Sequence, residues 1–250
     1  MQVGVRRKRL INIADRNRMS MLKKWSIAKL GLVIISSVLI SCGGNQESKP
    51  SKENEGQEET SEKTTSKKTI IFFGNSLTAG YGIELSEAFP ALIQQRIDSL
   101  GYEYTVVNSG VSGETTATGV NRVDWVVSQT PPDIFVLELG GNDGLRGIPV
   151  TETRKNLEAI IDKVREKNPA VEIILAGMMV PPNMGPKYSK EFLEIYPAVA
   201  KTKNVKLIPF LLDKVGGEKE LNLPDGIHPT PEGHNIVAET VWETLKDALK

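Results

Sequence analysis

Cysteine and histidine are scarce in this chain of 250 residues, which has one cysteine, Cys42, and two histidines, His228 and His234. A single cysteine excludes a disulfide within the chain, and so few soft ligands argue against a zinc site. Lysine and arginine together number 31, as do aspartate and glutamate. The basic excess typical of nucleic-acid binders is therefore missing, and we expect neither a metal nor a nucleic-acid partner.

A hydrophobic run long enough to span a membrane is also missing near the basic N-terminus. Residues 30–40, LGLVIISSVLI, have the length of a signal-peptide core and are too short for a span. We therefore predict that residues 1–41 are a signal peptide. Met19 and Met21 remain alternative starts, and Arg6-Arg7 leaves a twin-arginine export signal open.

Cys42 closes this segment after Leu39-Ile40-Ser41, a pattern that resembles a bacterial lipobox. In a lipobox the cysteine is lipidated and the leader is cut before it. The resemblance implies an exported lipoprotein of the cell envelope, periplasmic or surface-exposed, which acyl chains on Cys42 anchor to the membrane. The alternative is an incidental or buried thiol.

Residues 43–68 contain no apolar side chain that can offset the entropy of ordering. We predict that residues 42–68 comprise the lipidated cysteine and a disordered tether. Residues 69–250 then form one folded domain, which is long enough to bury a core.

Short apolar runs alternate with helical patterns in that domain. The runs at 69–73, 104–108, 134–139, 171–176 and 206–210 are typical of buried parallel strands. Helices are expected over 87–101, 115–129, 153–169, 189–203 and 231–249. This alternation predicts an α/β fold, a three-layer α/β/α sandwich with a five-stranded parallel sheet, whose ligand site lies beyond the carboxyl ends of the strands.

Ser76 follows the first predicted strand in the stretch IIFFGNSLTAGYG. This stretch is neither the Gly-x-Ser-x-Gly elbow nor a P-loop, and Gly-Asn-Ser is also ordinary turn material. As a nucleophile, Ser76 needs a base. His228, in LPDGIHPTPEGH, is a candidate, because Asp225 three residues earlier can accept one of its ring N–H groups. A capping or packing role for His228 is the alternative, and we expect His234 to be structural.

Hydrogen-bond donors for an oxyanion are available after other strands. The Asn142 side chain follows the third strand, the Gly110 backbone N–H lies after the second, and the Ser76 N–H adds a third donor. Each of these stretches is also compatible with a simple turn.

Together these motifs resemble the SGNH (GDSL) hydrolase family. They are Gly74-Asn75-Ser76-Leu77 with Gly80, Gly110, Gly141-Asn142-Asp143 and Asp225-x-x-His228. The stretches ELGGNDGLRG, SGVSGETT and DGIHP further resemble its thioesterase I/lysophospholipase L1, arylesterase-like branch. The resemblance spans 69–250 and implies a flavodoxin-like fold, with Ser76 as nucleophile, His228 as base, Asp225 orienting it, and Ser76, Gly110 and Asn142 in the oxyanion hole.

The first motif departs from the family at Asn75, where the family usually has aspartate. Asparagine keeps a carbonyl acceptor but loses a charge, so we expect a modest effect. Two further acids near the site, Glu114 and Asp143, are interpreted as bracing the loops.

The implied reaction is hydrolysis of a carboxylic ester or thioester through an acyl-serine, with no cofactor. Met178, Met179, Val180 and Met184 can line an acyl groove or simply cover the sheet. Small lipid-like or aryl acyl esters, including lysophospholipids, are the first interpretation of the substrate. The alternatives are a carbohydrate (acetyl) esterase and a membrane-anchored, non-catalytic binding module; oligomeric state is not indicated.

Overall fold

The computed structural model describes residues 67–250. Its strands are β1 Lys68–Gly74, β2 Tyr104–Gly110, β3 Ile134–Glu138, β4 Glu172–Ala176 and β5 Lys206–Ile208. They form one parallel sheet in the order β2-β1-β3-β4-β5. The predicted α/β fold with a five-stranded parallel sheet is confirmed. The predicted signal peptide, Cys42 and nearly all of the predicted tether lie outside the described residues.

Strand β1, an interior strand of the sheet, shows why these runs become strands. Ile70, Ile71, Phe72 and Phe73 are fully buried, as expected for a parallel strand covered on both faces. The strand begins at Lys68, which pairs with Tyr104, so this last residue of the predicted tether belongs to the sheet. The edge strand β5 ends before Pro209, which has no N–H to continue a ladder.

Eight α-helices connect the strands within residues 67–250. They are α1 Ser76–Ala79, α2 Phe89–Ser99, α3 Thr116–Gln129, α4 Gly141–Leu145, α5 Val150–Lys167, α6 Pro186–Leu193, α7 Ile195–Lys203 and α8 Pro231–Leu245. Helix α2 packs against α8, whereas α5 packs against both α3 and α7. No helix in this part of the chain combines the length and apolarity needed to cross a membrane.

Two helical predictions were wrong in detail. The helix expected over 189–203 is divided at Glu194, because Pro197 has no N–H to donate to the carbonyl of Leu193. The helix expected over 87–101 spans only Phe89–Ser99, and Leu100 caps its end and is exposed.

The register at the carboxyl edge brings three chain segments together. Gly74 at the end of β1 pairs with Gly110 of β2 on one side and with Glu138 of β3 on the other. The chain leaves β1 toward β2 and later returns on the opposite side of β1 as β3. The turns after these strands therefore flank the crevice at which ligands bind in such sheets.

Close packing at this edge explains one glycine. A Cβ atom on Gly110 would lie 2.3 Å from the backbone nitrogen of Ala79, so α1 rests directly on the end of β2. Because α1 begins with Ser76, the absence of a side chain at Gly110 sets the position of that serine.

We predict that Gly110→Ala destabilises the domain and displaces α1. Overpacking of this kind lowers the free energy of unfolding by about 1–3 kcal/mol, measurable by urea denaturation. Ser109→Ala, which adds no atoms in the same strand, is the matched control and should stay within about 0.5 kcal/mol of wild type. A Gly110→Ala protein as stable as this control would contradict the packing argument.

Candidate active site

Ser76 lies at the start of α1, directly after β1. Its side chain is nearly buried, with 8% of the residue surface exposed. Asn75 caps the helix, since its Oδ1 accepts the N–H of Leu77 at 2.9 Å. The Ser76 N–H belongs to the open first turn and has no acceptor within residues 67–250.

His228 reaches Ser76 from a loop 152 positions further along the chain. Its Nε2 lies 2.8 Å from Ser76 Oγ, and its Nδ1 lies 2.7 Å from Asp225 Oδ2. The sequence-predicted serine, histidine and aspartate are thus brought together in one hydrogen-bonded series.

Backbone hydrogen bonds within the loop hold the segment that carries His228 in place. Leu223 N–H donates to the His228 carbonyl at 2.7 Å, and Thr230 N–H donates to the Leu221 carbonyl at 2.9 Å. Gly226 has a φ of 69°, in the left-handed region that favours glycine. This tight turn brings the side chains of Asp225 and His228 to the same side.

Asp225 is an ionised acceptor in this turn. Its Oδ1 accepts the N–H groups of Ile227 at 2.9 Å and of His228 at 3.0 Å. These backbone bonds, and then the bond to the imidazole, lower the pKa of Asp225 to about 2. A carboxylate that accepts the Nδ1–H leaves Nε2 with a lone pair for the hydroxyl proton of Ser76, which is the arrangement that activates a serine.

Asn142, on α4, is oriented for a donor role. One hydrogen of its Nδ2 is donated to the carbonyl of Glu114 at 2.9 Å. The amide nitrogen carries a second hydrogen, which remains for a ligand.

The Gly110 N–H does not fit its predicted role in the resting structure. It is donated to Asn108 Oδ1 at 3.0 Å, and the glycine is explained by the packing of α1. Gly113 differs, because its N–H has no acceptor among residues 67–250 and its φ of 80° favours glycine. The sequence SGVSGETT contains both glycines and does not show which N–H is free.

The two further acids brace the site, as predicted. Glu114 pairs with Arg122, with an Nε–Oε1 distance of 2.8 Å. Asp143 is fully buried and accepts the N–H of Thr116 at 2.9 Å, which stabilises the start of α3. His234 is likewise internal: its Nδ1 accepts the N–H of Phe89 at 3.2 Å, and burial lowers its pKa to about 4.

The loop after β4, which carries Met178, Met179, Val180 and Met184, places these side chains in different surroundings. Met178 belongs to the core, which favours the alternative that it covers the sheet over a place in an acyl groove. Met179 faces a cavity of about 740 Å³ lined by Phe210 and α8. Val180 and Met184 instead lie against the glycines of the α4 region, Gly144 and Gly147.

Two residues of the site escaped sequence analysis. Tyr81, half exposed, places its ring centroid 4.5 Å from that of His228. Glu138 is fully buried beneath the turn that carries Asn75 and Ser76 (the serine turn), and burial raises its pKa to about 7. A single acid inside the apolar run IFVLEL was the signal for Glu138.

Among residues 67–250, no three histidine, cysteine or acidic side chains gather as metal ligands would.

Comparison with known proteins places these residues in a family context. The model of the GDSL-like lipase/acylhydrolase family matches residues 72–236. Esterase TesA of Pseudomonas aeruginosa is 39% identical over 181 residues, covering 72% of this chain and 89% of that protein. Thioesterase 1/protease 1/lysophospholipase L1 of Escherichia coli K12 is 35% identical over 178 residues, covering 71% and 83%. A crystal structure of TesA matches with a TM-score of 0.70 at 38% identity, over 73% of this chain and all of that one.

Proposed function

The chain belongs to the GDSL-like lipase/acylhydrolase family and is a serine ester hydrolase, and on this premise we propose that Ser76, His228 and Asp225 are its catalytic triad. The observation that carries the assignment is the contact of 2.8 Å between Ser76 Oγ and His228 Nε2. Such a contact permits direct proton transfer from the hydroxyl to the imidazole.

Acylation starts when Ser76 Oγ attacks the ester carbonyl and its proton passes to His228 Nε2. Asp225 stabilises the imidazolium through the Nδ1–H bond. The imidazolium then gives the proton to the departing alcohol or thiol, which leaves an acyl-serine. A water molecule, deprotonated by the same imidazole, releases the acid and restores the serine.

The oxyanion that forms in each step needs donors that are free in the resting enzyme. The Ser76 N–H and the second Nδ2 hydrogen of Asn142 meet this condition. For the third donor we favour the Gly113 N–H over that of Gly110, since the latter is already bonded to Asn108. Removing one such donor typically lowers the rate by about 10²–10³-fold.

The proposed substrates are lipid-like acyl esters, including lysophospholipids. Exposed apolar side chains occur on four segments that also carry or adjoin site residues: Tyr81 after α1, Val111 after β2, Leu145 at the end of α4 and Ile227 beside His228. Exposed apolar surface marks binding sites for apolar ligands, and we propose that these side chains contact the hydrocarbon chain of the substrate. One of the relatives is named a lysophospholipase, which supports the same class of substrate.

We further propose that Cys42 is lipidated and anchors the domain to a membrane of the cell envelope. The lipobox-like Leu39-Ile40-Ser41-Cys42 and the apolar segment before it support this proposal. Anchoring keeps the enzyme close to membrane-derived acyl esters.

Replacing Ser76 by alanine should abolish hydrolysis of p-nitrophenyl butyrate. Loss of a triad nucleophile lowers kcat by about 10⁶-fold. In the wild type, a fluorophosphonate should add one label to the peptide that contains Ser76, detected by mass spectrometry. Ser86→Ala, at an exposed serine, is the control. Substantial activity in Ser76→Ala would reject the mechanism.

A chain-length series tests the substrate class. With p-nitrophenyl esters from acetyl to lauroyl, we expect kcat/KM to rise from acetyl to medium chains, because each buried methylene contributes about 0.8 kcal/mol at most. Activity restricted to the acetyl ester would favour a carbohydrate esterase instead.

Replacing Cys42 by serine should release the protein from membranes. In cells fed a radiolabelled fatty acid, the wild type should carry label and sediment with membranes, whereas Cys42→Ser should do neither. Equal labelling of both proteins would contradict lipidation at Cys42.

A further inference from the structure

A buried carboxyl group lies directly beneath the turn that carries Ser76. Glu138 is the last residue of β3, has no solvent exposure and pairs with Gly74 across the sheet. A Cβ atom on Gly74 would lie 2.5 Å from Glu138 Oε2, so glycine is required for the carboxyl group to fit. The serine turn is therefore built around this group.

Hydrogen-bond donors surround the carboxyl group of Glu138. Its Oε2 accepts the Asn75 N–H at 3.1 Å and the Thr78 hydroxyl at 2.9 Å. Its Oε1 accepts the Asn75 side-chain N–H at 2.7 Å. Two acceptor oxygens facing three donors suit a carboxylate better than a neutral acid, which must place a proton of its own among them.

Asn75 connects this group to the serine. The nitrogen of its amide is bonded to Glu138, while the oxygen accepts the Leu77 N–H at 2.9 Å and lies 3.4 Å from Ser76 Oγ. Only one orientation of the amide satisfies both ends. If the amide turned over, its nitrogen would face the Leu77 N–H and the cap of α1 would be lost.

We propose that Glu138, as a carboxylate, is a positioning residue that holds Ser76 in line with His228 by orienting the Asn75 amide. This inference rests on the proposed role of Ser76 as the nucleophile. Glu138 itself touches neither the substrate nor the reacting atoms.

Protonation should weaken this hold. Burial raises the pKa of Glu138 to about 7, with Asn75 and Thr78 opposing the shift. Tyr196 of α7 is the titratable group that faces it, Asp143 of α4 faces Tyr196 in turn, and His228 lies beyond Ser76. The turn and α1 contribute only neutral groups.

Because the pKa of Glu138 is higher in the folded chain than in the unfolded chain, ionisation of Glu138 costs folding stability as pH rises from about 4.5 to 7. In the folded chain the carboxyl group ionises as pH rises through its pKa of about 7, and alignment of the serine should improve over that range.

Two single substitutions disturb the pair in different ways. Glu138→Gln sets an amide nitrogen against the Asn75 nitrogen, and kcat should fall by about 10²-fold with little change in KM. Asn75→Asp sets two carboxyl groups within hydrogen-bond distance, where they share one proton near neutral pH and give it up only at alkaline pH. We expect this variant to keep most of its kcat near neutral pH and to lose it at alkaline pH, where wild type is most active.

The double variant Asn75→Asp/Glu138→Gln restores complementarity. The new carboxylate at position 75 can accept from both the new amide at 138 and the Leu77 N–H. We expect kcat to recover to within about tenfold of wild type, with no alkaline loss. Rescue by a reciprocal exchange is not expected if Glu138 only fills space.

The test is the dependence of kcat and KM on pH for p-nitrophenyl butyrate, alongside thermal unfolding at each pH. Glu166→Gln and Asn235→Asp, at exposed sites away from the serine turn, are matched controls. Wild-type kcat in Glu138→Gln, or a double variant no better than the worse single variant, would overturn the proposal. If Glu138→Gln does not fold, an Asn75→Asp profile that superposes on wild type overturns it.

Ser76→Ala, assayed in parallel, separates this inference from the proposed function. An active Ser76→Ala enzyme overturns the proposed mechanism and this inference with it. An inactive Ser76→Ala beside a fully active Glu138→Gln overturns this inference alone.

Discussion

The row formed by Gly110, Gly74 and Glu138 at the carboxyl edge of the sheet is the constraint on which the site depends. Backbone pairing fixes the register, so these three residues lie side by side on neighbouring strands. The two glycines then let α1 settle onto the end of β2 and onto the Glu138 carboxyl group. The first turn of α1 therefore begins in a fixed place, with the hydroxyl and the free N–H of Ser76 facing the crevice. Since the serine is set by backbone packing and buried bonds, little of its position is left to side-chain rotation.

The imidazole reaches this fixed serine in a different way. His228 belongs to a loop rather than to the sheet, and its partner Asp225 is supplied by the same tight turn. Two carboxyl groups thus serve the site in opposite environments. Exposed Asp225, bonded to backbone N–H groups, has a pKa of about 2 and keeps its charge across the working pH range. Buried Glu138 has a pKa near 7 because it has lost its water. Environment, more than residue type, separates the two roles.

The strands and the serine, histidine and aspartate could be predicted from sequence because each depends on local pattern plus one general rule, that ligand sites lie at the carboxyl ends of parallel strands. Other features depend on distant neighbours. Whether the N–H of Gly110 or Gly113 is free depends on Asn108 and on the approach of α1. The burial of Met178 depends on which way the loop after β4 turns, and the role of Glu138 appears only once β3 lies beside β1. Pro197 is the exception, since its missing N–H was visible in the sequence and accounts for the division between α6 and α7.

The departure at Asn75 from the aspartate usual in the family takes on a specific meaning in this arrangement. By shape alone, asparagine and aspartate are almost interchangeable. Here both ends of the amide are used, one as donor to Glu138 and one as acceptor from Leu77. An aspartate at this position would need a proton shared with Glu138, which gives the pair one negative charge. An asparagine beside an ionised Glu138 likewise gives the pair one negative charge, and no shared proton is needed. The departure therefore conserves the net charge next to the nucleophile, and it favours a working ester hydrolase over a fold that has lost its chemistry.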